Sequence, residues 1–532
     1  MASRRRKHWG WGHEDQQPTL EQARAAAPTL SQRLGIQLGE PERAVPLEEV
    51  ALPAPRIEIP AALAEIASAE AHERACHALG KSYVDVVRGF RGAFEHAPDF
   101  VVRPRGEEDL ERVLEWCSAE RVAAIPFGGG TSVVGGVTPE LGPGHDGAVS
   151  IDLAALDGLL ELDEVSRAAR IGAGATGPAL EAALGEHGMT LRHFPQSFEY
   201  STLGGWIATR AGGHFATVWT HIEDFLESVR AIAPSGVWES RRLPGSGAGP
   251  SPDRLLAGSE GILGVITSAW VRVQPRPEHR ASAGVRFADG FARGAECVRE
   301  LSQSGLNPSN CRLLDPGEAG LTMAGDGGHA LLVLGFESTD HPVEESMARA
   351  LAICAEHGGE PAARREGAGG DAVQSWRGAF IGAPYVRDLL VAMGVLSETF
   401  ETAITWERFP SFHARVMEAA REAVREVCGE GGSVYCRFTH VYPDGPAPYF
   451  TVLAPARRGE EVEQWGAIKR AVSDVLIEHG ATITHHHAVG RDHRPWYERQ
   501  RPEPFAAALR GAKQALDPAG IMNPGVLLEA RA

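Results

Sequence analysis

Three histidines stand side by side in "ATITHHHAVG", residues 481–490. Imidazoles change charge near neutrality, so such a run can pass protons, bind phosphate when charged, or hold a metal ion. No matching cysteine or carboxylate cluster accompanies it, and no metal is expected. In an extended segment side chains alternate, which places His485 and His487 on one face and His486 on the other. A second kind of chemistry is written in glycine. "PFGGGTSVVGG", from Pro126 to Gly136, offers three consecutive bare backbone N–H groups with Thr131 and Ser132 as hydroxyl donors, a pattern able to close around a pyrophosphate. It lacks the lysine of a P-loop. "GAGATG" (Gly172, Gly174, Gly177) resembles a dinucleotide fingerprint, but no acidic residue follows at the end of the next strand, so a tight strand-to-helix turn is the better reading. "FPQSFEYSTLGGWIATRAGG" (194–213) and "GSEGILGVIT" (258–267) add backbone able to lie flat against a planar ring.

Positioning these groups requires a framework. Residues 1–97 mix charge, proline and helical patterns, with one helix read over "PAALAEIASAEAHERACHALG", and form an N-terminal helical extension packed on the main body. From 98 to 278 short strands and helices alternate, up to the prolines at 275 and 277. A second domain, 279–500, reads as antiparallel sheet covered by helices. Residues 501–532 make a helix stopped by Asp517, Pro518 and Gly520, then a turn that closes the active site.

At 532 residues the chain is long enough for two or three cores. Its hydrophobic content of 43% and charged content of 23% are globular, and its formal charge of -18 argues against a nucleic-acid partner. An anionic substrate would need a local basic pocket. Seven scattered cysteines without a CxxC pair suggest a reducing, cytoplasmic setting. No apolar run is long enough to span a bilayer. Trp9 and Trp11 beside Arg4, Arg5, Arg6 and Lys7 could touch a lipid surface.

The three glycine-bearing segments, in this order and spacing, resemble the FAD-binding family typified by vanillyl-alcohol oxidase. The resemblance implies an α+β chain, with a PCMH-type FAD-binding domain, an antiparallel-sheet cap domain for substrate and the helical appendage. It assigns the cofactor to Pro126, Phe127, Gly128, Gly129, Gly130, Thr131 and Ser132. It adds Gln196, Ser197, Phe198, Glu199, Tyr200, Ser201 and Thr202, then Thr209, Arg210, Ala211 and Gly212, and finally Glu260, Gly261, Ile262, Leu263, Gly264, Val265 and Ile266. No histidine stands in "GGGTS", so the FAD is expected to be noncovalent.

Hydroxy-acid dehydrogenases of this superfamily carry HVGDGNLH and GEHGIG, which build a divalent-metal site. Here the stretches read "HVYPDGPAPYF" and "THHHAVG"; Asp444 remains, but a histidine and a glutamate are gone. An FAD-linked dehydrogenase or oxidase of a 2-hydroxy acid or alcohol therefore stands as the alternative. Both departures instead resemble the alkylglycerone-phosphate synthase family of ether-lipid synthesis, also called alkyl-dihydroxyacetonephosphate synthase. The likeness runs from "HWGWG" through "GKSYVDVVRGFRGAFEHAPDFVVRP", "NPSNCRLLD", "PYVRDL" and "PAPYF" to "LDPAGIMNPGVLL". It implies Tyr449 as acid/base, Arg387 as a substrate-binding arginine, Arg312 as critical to activity, and His485, His486 and His487 in the active site. It implies a transferase that replaces the acyl chain of acyl-dihydroxyacetone phosphate by a fatty alcohol, with no net oxidation, acting as a homodimer. Tyrosine ionises near pH 10, so Tyr449 needs positive neighbours to serve as a base. The alanine-, arginine- and glycine-rich composition suggests a bacterial, cytoplasmic enzyme.

Overall fold

The computed structural model describes residues 4–362 and 372–530, the side chains of 372–377 and 379 excepted. Three main sheets organise it. In the first, Phe100–Val102 and Val122–Phe127 run parallel on either side of Gly147–Asp152, and Ala67–Ser68 adds an antiparallel edge. Strand Gly147–Asp152 is buried along its whole length, as a strand covered on both faces must be. The second sheet is antiparallel, in the order Leu159–Asp163, Ala168–Gly172, Val265–Arg272, Leu226–Ala233, Gly236–Glu239. Its apolar face packs on the helices Gly177–Gly185 and Leu203–Thr209 through Leu180, Trp206 and Ile207.

The third sheet has seven antiparallel strands, ordered Gly359–Pro361, His279–Phe287, Ala330–Ser338, Asn310–Leu314, Ser433–Val441, Pro446–Pro455, Val395–Glu401. Helices Phe291–Gln303, Phe409–Cys428 and Glu461–Glu478 help bury Phe287, Phe412, Phe438 and Phe450 in its core. Because side chains alternate along a strand, the same strands carry a second, polar set. Arg312 sits between Cys311 and Leu313, Arg437 between Cys436 and Phe438, and Tyr449 beside Phe450.

Three expectations change. The helix read over 60–80 is broken into Ala61–Leu63, the strand Ala67–Ser68 and Ala71–Cys76, because Ala67 and Ser68 pair with Val102 and Val101. Sheet pairing outweighs local helix propensity there. Residues up to 97 are also woven in: Trp9, Tyr83, Val86 and Phe90 belong to the core of the seven-stranded sheet. The C-terminal segment does not close the cavity described below; none of its described residues lines it. It returns to the first sheet, where Ala124 N–H donates to the Ile521 carbonyl and Asn523 N–H to that of Ala124.

Candidate active site

The glycine loop leaves strand Val122–Phe127 at its C-terminal end, and Pro126 through Ser132 all line one cleft. A Cβ on Gly129 would lie 1.8 Å from the Tyr200 carbonyl oxygen, and one on Gly128 would lie 2.4 Å from Thr202 Oγ1. Gly130 has φ +66°. Glycine is therefore demanded by the close approach of segment 200–202 and by backbone conformation. Among the described residues no acceptor engages the N–H groups of Gly128, Gly129, Gly130, Thr131 or Ser132. Five successive donors facing a cleft form an anion nest, so the loop fits a pyrophosphate. Gly172 and Gly174, by contrast, spend their N–H groups on the carbonyls of Gly158 and Leu156, as a structural turn does.

Gln196, Ser197, Ser201, Thr202, Thr209, Ala211, Gly212, Glu260, Gly261, Gly264 and Ile266 continue the lining. Eight assigned residues do not line it. Phe198 packs on Gly177 and Trp206, Tyr200 turns its ring to Trp11 and His13, and Glu199 accepts the Tyr385 hydroxyl on the outside. Arg210 pairs with Glu223 at the surface. Ile262, Leu263 and Val265 are core residues. His485 is the eighth. Contiguous motifs overstate a lining because alternate side chains point away from it.

The opposite wall is the polar face of the seven-stranded sheet. Tyr449 pairs in register with Arg437 on one side and with Glu401 on the other. The Arg437 guanidinium lies 3.9 Å over the Tyr449 ring and is ion-paired with buried Glu318. Burial lifts the Tyr449 phenol above its ordinary value, and Arg437 pulls the other way without prevailing. The expected depression is thus absent, and Tyr449 holds its proton at neutrality. Arg312 is pushed down to about 9 by burial and remains a cation. Arg387, on helix Ala372–Ala392, faces the cleft with a buried Nε that has no partner among the described residues. Lys81 completes the cationic rim; burial brings it down to about 8, and its backbone N–H donates to the Ser132 carbonyl at 2.5 Å.

The histidine run is not extended, and its alternation fails. The backbone N–H groups of His485, His486 and His487 all converge on the carboxylate of Glu401, which also accepts the Thr484 hydroxyl. Curling three amides around one acceptor turns His486 and His487 into the cleft, while His485 faces a second cleft behind. Burial disfavours the Glu401 carboxylate, yet the histidine segment, with its three converging amides, and the Thr484 hydroxyl hold it well below the usual range. Burial also pushes all three imidazoles below their ordinary value, Glu401 opposing it. They are neutral at pH 7, so the positive charge comes from arginine and lysine. The His486 ring lies nearly parallel to that of Tyr449 at 6.0 Å. Among the described residues, the ring nitrogens of His440, His485 and His486 lie within 4.8 Å of one another, a spacing a divalent cation could use. Two of these, His485 Nδ1 and His486 Nδ1, already share a hydrogen bond at 3.1 Å. Asp444, the survivor of the hydroxy-acid pattern, is exposed in a turn outside the cleft.

Lys81, Glu401, Arg437 and His440 were not singled out from sequence. Two of them stood in quoted stretches, Lys81 in "GKSYVD" as part of a longer likeness and His440 at the head of "HVYPDG". Nor does the N-terminal segment offer its tryptophans to a lipid. Trp9 and Trp11 are each 3% exposed, because Lys7 Nζ meets the buried Asp388 carboxylate at 2.8 Å and Trp11 N–H donates to it at 2.7 Å. Gly10, at φ +62°, leaves no room for a Cβ beside Asp388. Arg6 reaches the Gly129 carbonyl, so this segment straps the glycine loop to helix Ala372–Ala392.

Comparison with known proteins agrees with this architecture. Residues 98–240 match the family model "FAD binding domain", and residues 276–527 match "FAD linked oxidases, C-terminal domain". The chain is 31% identical to alkyldihydroxyacetonephosphate synthase of Caenorhabditis elegans over 491 residues, covering 87% of this chain and 81% of that protein. It is 29% identical to the enzyme of the same name from Trypanosoma brucei brucei, over 86% of this chain and 78% of that one. A solved alkyldihydroxyacetonephosphate synthase superposes with TM-score 0.78 at 25% identity, covering 94% of this chain and 91% of that one. p-Cresol methylhydroxylase, at 15% identity and TM-score 0.69, shares the fold. FAD is the cofactor these matches share, and the chain belongs to the alkyldihydroxyacetonephosphate synthase family of FAD-dependent enzymes.

Proposed function

We propose that this protein replaces the acyl chain of acyl-dihydroxyacetone phosphate by a fatty alcohol, releasing the fatty acid and forming the ether bond without net oxidation. The observation that carries the reading is the chamber itself. Arg312, Arg387, Arg437 and Lys81 place cationic groups around Tyr449, His486 and His487, beside five unengaged amides. Arginine forks suit phosphate oxygens, and the unpartnered Arg387 Nε is left for such a ligand. Bound FAD supplies an electrophilic ring. The protein's own groups manage protons: neutral His486 can accept one from the carbon beside the ketone, and Tyr449 Oη holds one for the leaving carboxylate. The exposed Asp444 weighs against the hydroxy-acid alternative, which needs that carboxylate at a metal.

We also place the enzyme in the cytoplasm as a homodimer that meets a membrane surface. Ile381 and Val386, 41% and 46% exposed, lie on the helix whose Phe380, Pro384 and Arg387 line the chamber, which supports a lipid-facing entrance. The test of function is incubation with palmitoyl-dihydroxyacetone phosphate and labelled hexadecanol. Label should enter an ether product, and Tyr449→Phe should keep the flavin absorbance while losing turnover about a hundredfold. Persistent flavin bleaching by 2-hydroxy acids, with no ether formed, would replace this reading.

A further inference from the structure

His485 turns its back on the chamber, and what it faces is ordered. A second cleft of about 530 Å³ lies behind the histidine segment, lined by Thr220, His221, Tyr442 and His485 among others. That volume is large enough for a cluster of waters. Between the two clefts runs an unbroken series of hydrogen bonds. His486 Nδ1 and His485 Nδ1 are 3.1 Å apart, His485 Nε2 and Tyr442 Oη 2.7 Å, Tyr442 Oη and Thr220 Oγ1 2.9 Å, and Thr220 Oγ1 and His221 Nδ1 3.0 Å.

The direction of this series follows from its far end. His221 Nε2 lies 2.9 Å from the His485 carbonyl, which can only accept, so in the neutral ring Nε2 carries the proton and Nδ1 is a lone pair. Thr220 therefore donates to His221 and accepts from Tyr442. Tyr442, with one proton to give, accepts from His485 Nε2–H, which leaves His485 Nδ1 to accept from His486 Nδ1–H. Every donor points outward from the chamber. Among the described residues His486 Nε2 makes no hydrogen bond, and it is left for the chamber.

We propose that this series is a proton channel connecting the reacting carbon to the second cleft, with Tyr442 and Thr220 as its relay residues and His221 as its outer terminus. It rests on the acyl-for-alkyl exchange proposed above. A proton taken at His486 Nε2 releases the Nδ1 proton to His485 Nδ1. His485 Nε2 then gives its proton to Tyr442 Oη, Tyr442 its own to Thr220 Oγ1, and Thr220 its own to His221 Nδ1; the His221 ring, which lines the second cleft, turns out of its bond to Thr220 and releases that proton to solvent there. When the ether bond has formed, the carbon needs a proton again. Return by the reverse path restores every tautomer, so one out-and-back passage per turnover resets the series without any further reactant. A series built from three imidazoles and two hydroxyls also lets the acid/base chemistry reach solvent while the lipid side of the chamber stays dry.

Uptake of solvent deuterium at the carbon beside the ketone of palmitoyl-dihydroxyacetone phosphate, followed on the flavin-loaded protein without alcohol, reads the channel directly. Tyr442→Phe keeps the ring and removes the hydroxyl; Thr220→Val breaks the next link. Each should slow uptake about tenfold with flavin absorbance unchanged, and small amines or imidazole, reaching His485 Nε2 from the second cleft, should restore most of it. Undiminished uptake in both variants overturns the proposal, as does a slowing that no small base relieves, which marks a structural effect. Ether formation by the unaltered protein with no deuterium uptake also overturns it. Neither ether nor uptake from the unaltered protein would instead remove the exchange reaction itself.

Discussion

At the scale of single residues, Glu401 organises the chamber without entering it. Its carboxylate is the one acceptor on which the amides of His485, His486 and His487 converge, and it sits in register beside Tyr449. Glu401→Gln preserves shape but replaces one oxygen by an amide NH2 group, a donor that faces N–H donors. We expect a stability loss of about 2 kcal/mol in urea titration, from buried donors left without an acceptor. Turnover should fall further than that loss explains, since two imidazoles lose their orientation; unchanged kinetics would show that the run is held by other means. This residue marks a limit of sequence reading. "GGGTS" announces itself because the chemistry lies within seven residues, whereas Glu401 and its amides are separated by 84 to 86. Tyr449, Arg312 and Arg387 became visible through likeness alone. The side each histidine faces was lost altogether, since period-two reasoning assumes a strand that Glu401 prevents.

At the scale of elements, the seven-stranded sheet is legible because "HALLVLGFE" and "APYFTVLAP" are long apolar runs that become Ala330–Ser338 and Pro446–Pro455. The short strand Ala67–Ser68 is not, since its pairing with Val101 and Val102 outweighs a helical pattern. The N-terminal strap is an element with no regular structure of its own, held by the buried Lys7–Asp388 pair. Lys7→Met should cost about 3–5 kcal/mol, because it strands a carboxylate away from water. Adding Asp388→Asn should recover part of that loss, since the amide oxygen still accepts from Trp11 N–H. A double-mutant cycle in urea checks it; additive losses would mean that the two side chains are energetically independent.

At the scale of the whole molecule, burial makes stability depend on pH. His8, His193, His413, His440, His485, His486, His487 and His493 are all held below their ordinary value by burial, His193 and His493 at about 3 and His413 at about 4. The unfolded chain protonates these near pH 6.5 and the folded one only at lower pH, so stability is lost as pH falls through that value, by up to about 1.4 kcal/mol per pH unit for each proton. Burial raises Glu260 and Asp492 to about 7, Asp315 to about 6, and Asp85 as well, and these favour the folded state as pH falls. Eight groups outweigh four among those described. The urea midpoint should drop steadily from pH 7 to pH 5, and a midpoint that rises over that interval would contradict the burial of the histidines.

The strap has one more consequence, in time rather than in space. Residues 4–13 leave the ribosome long before their seat is complete, since it includes Asp388, synthesised 381 positions after Lys7. Until then this stretch of the newborn polypeptide has nowhere to settle, and the glycine loop that Arg6 finally reaches goes without its strap.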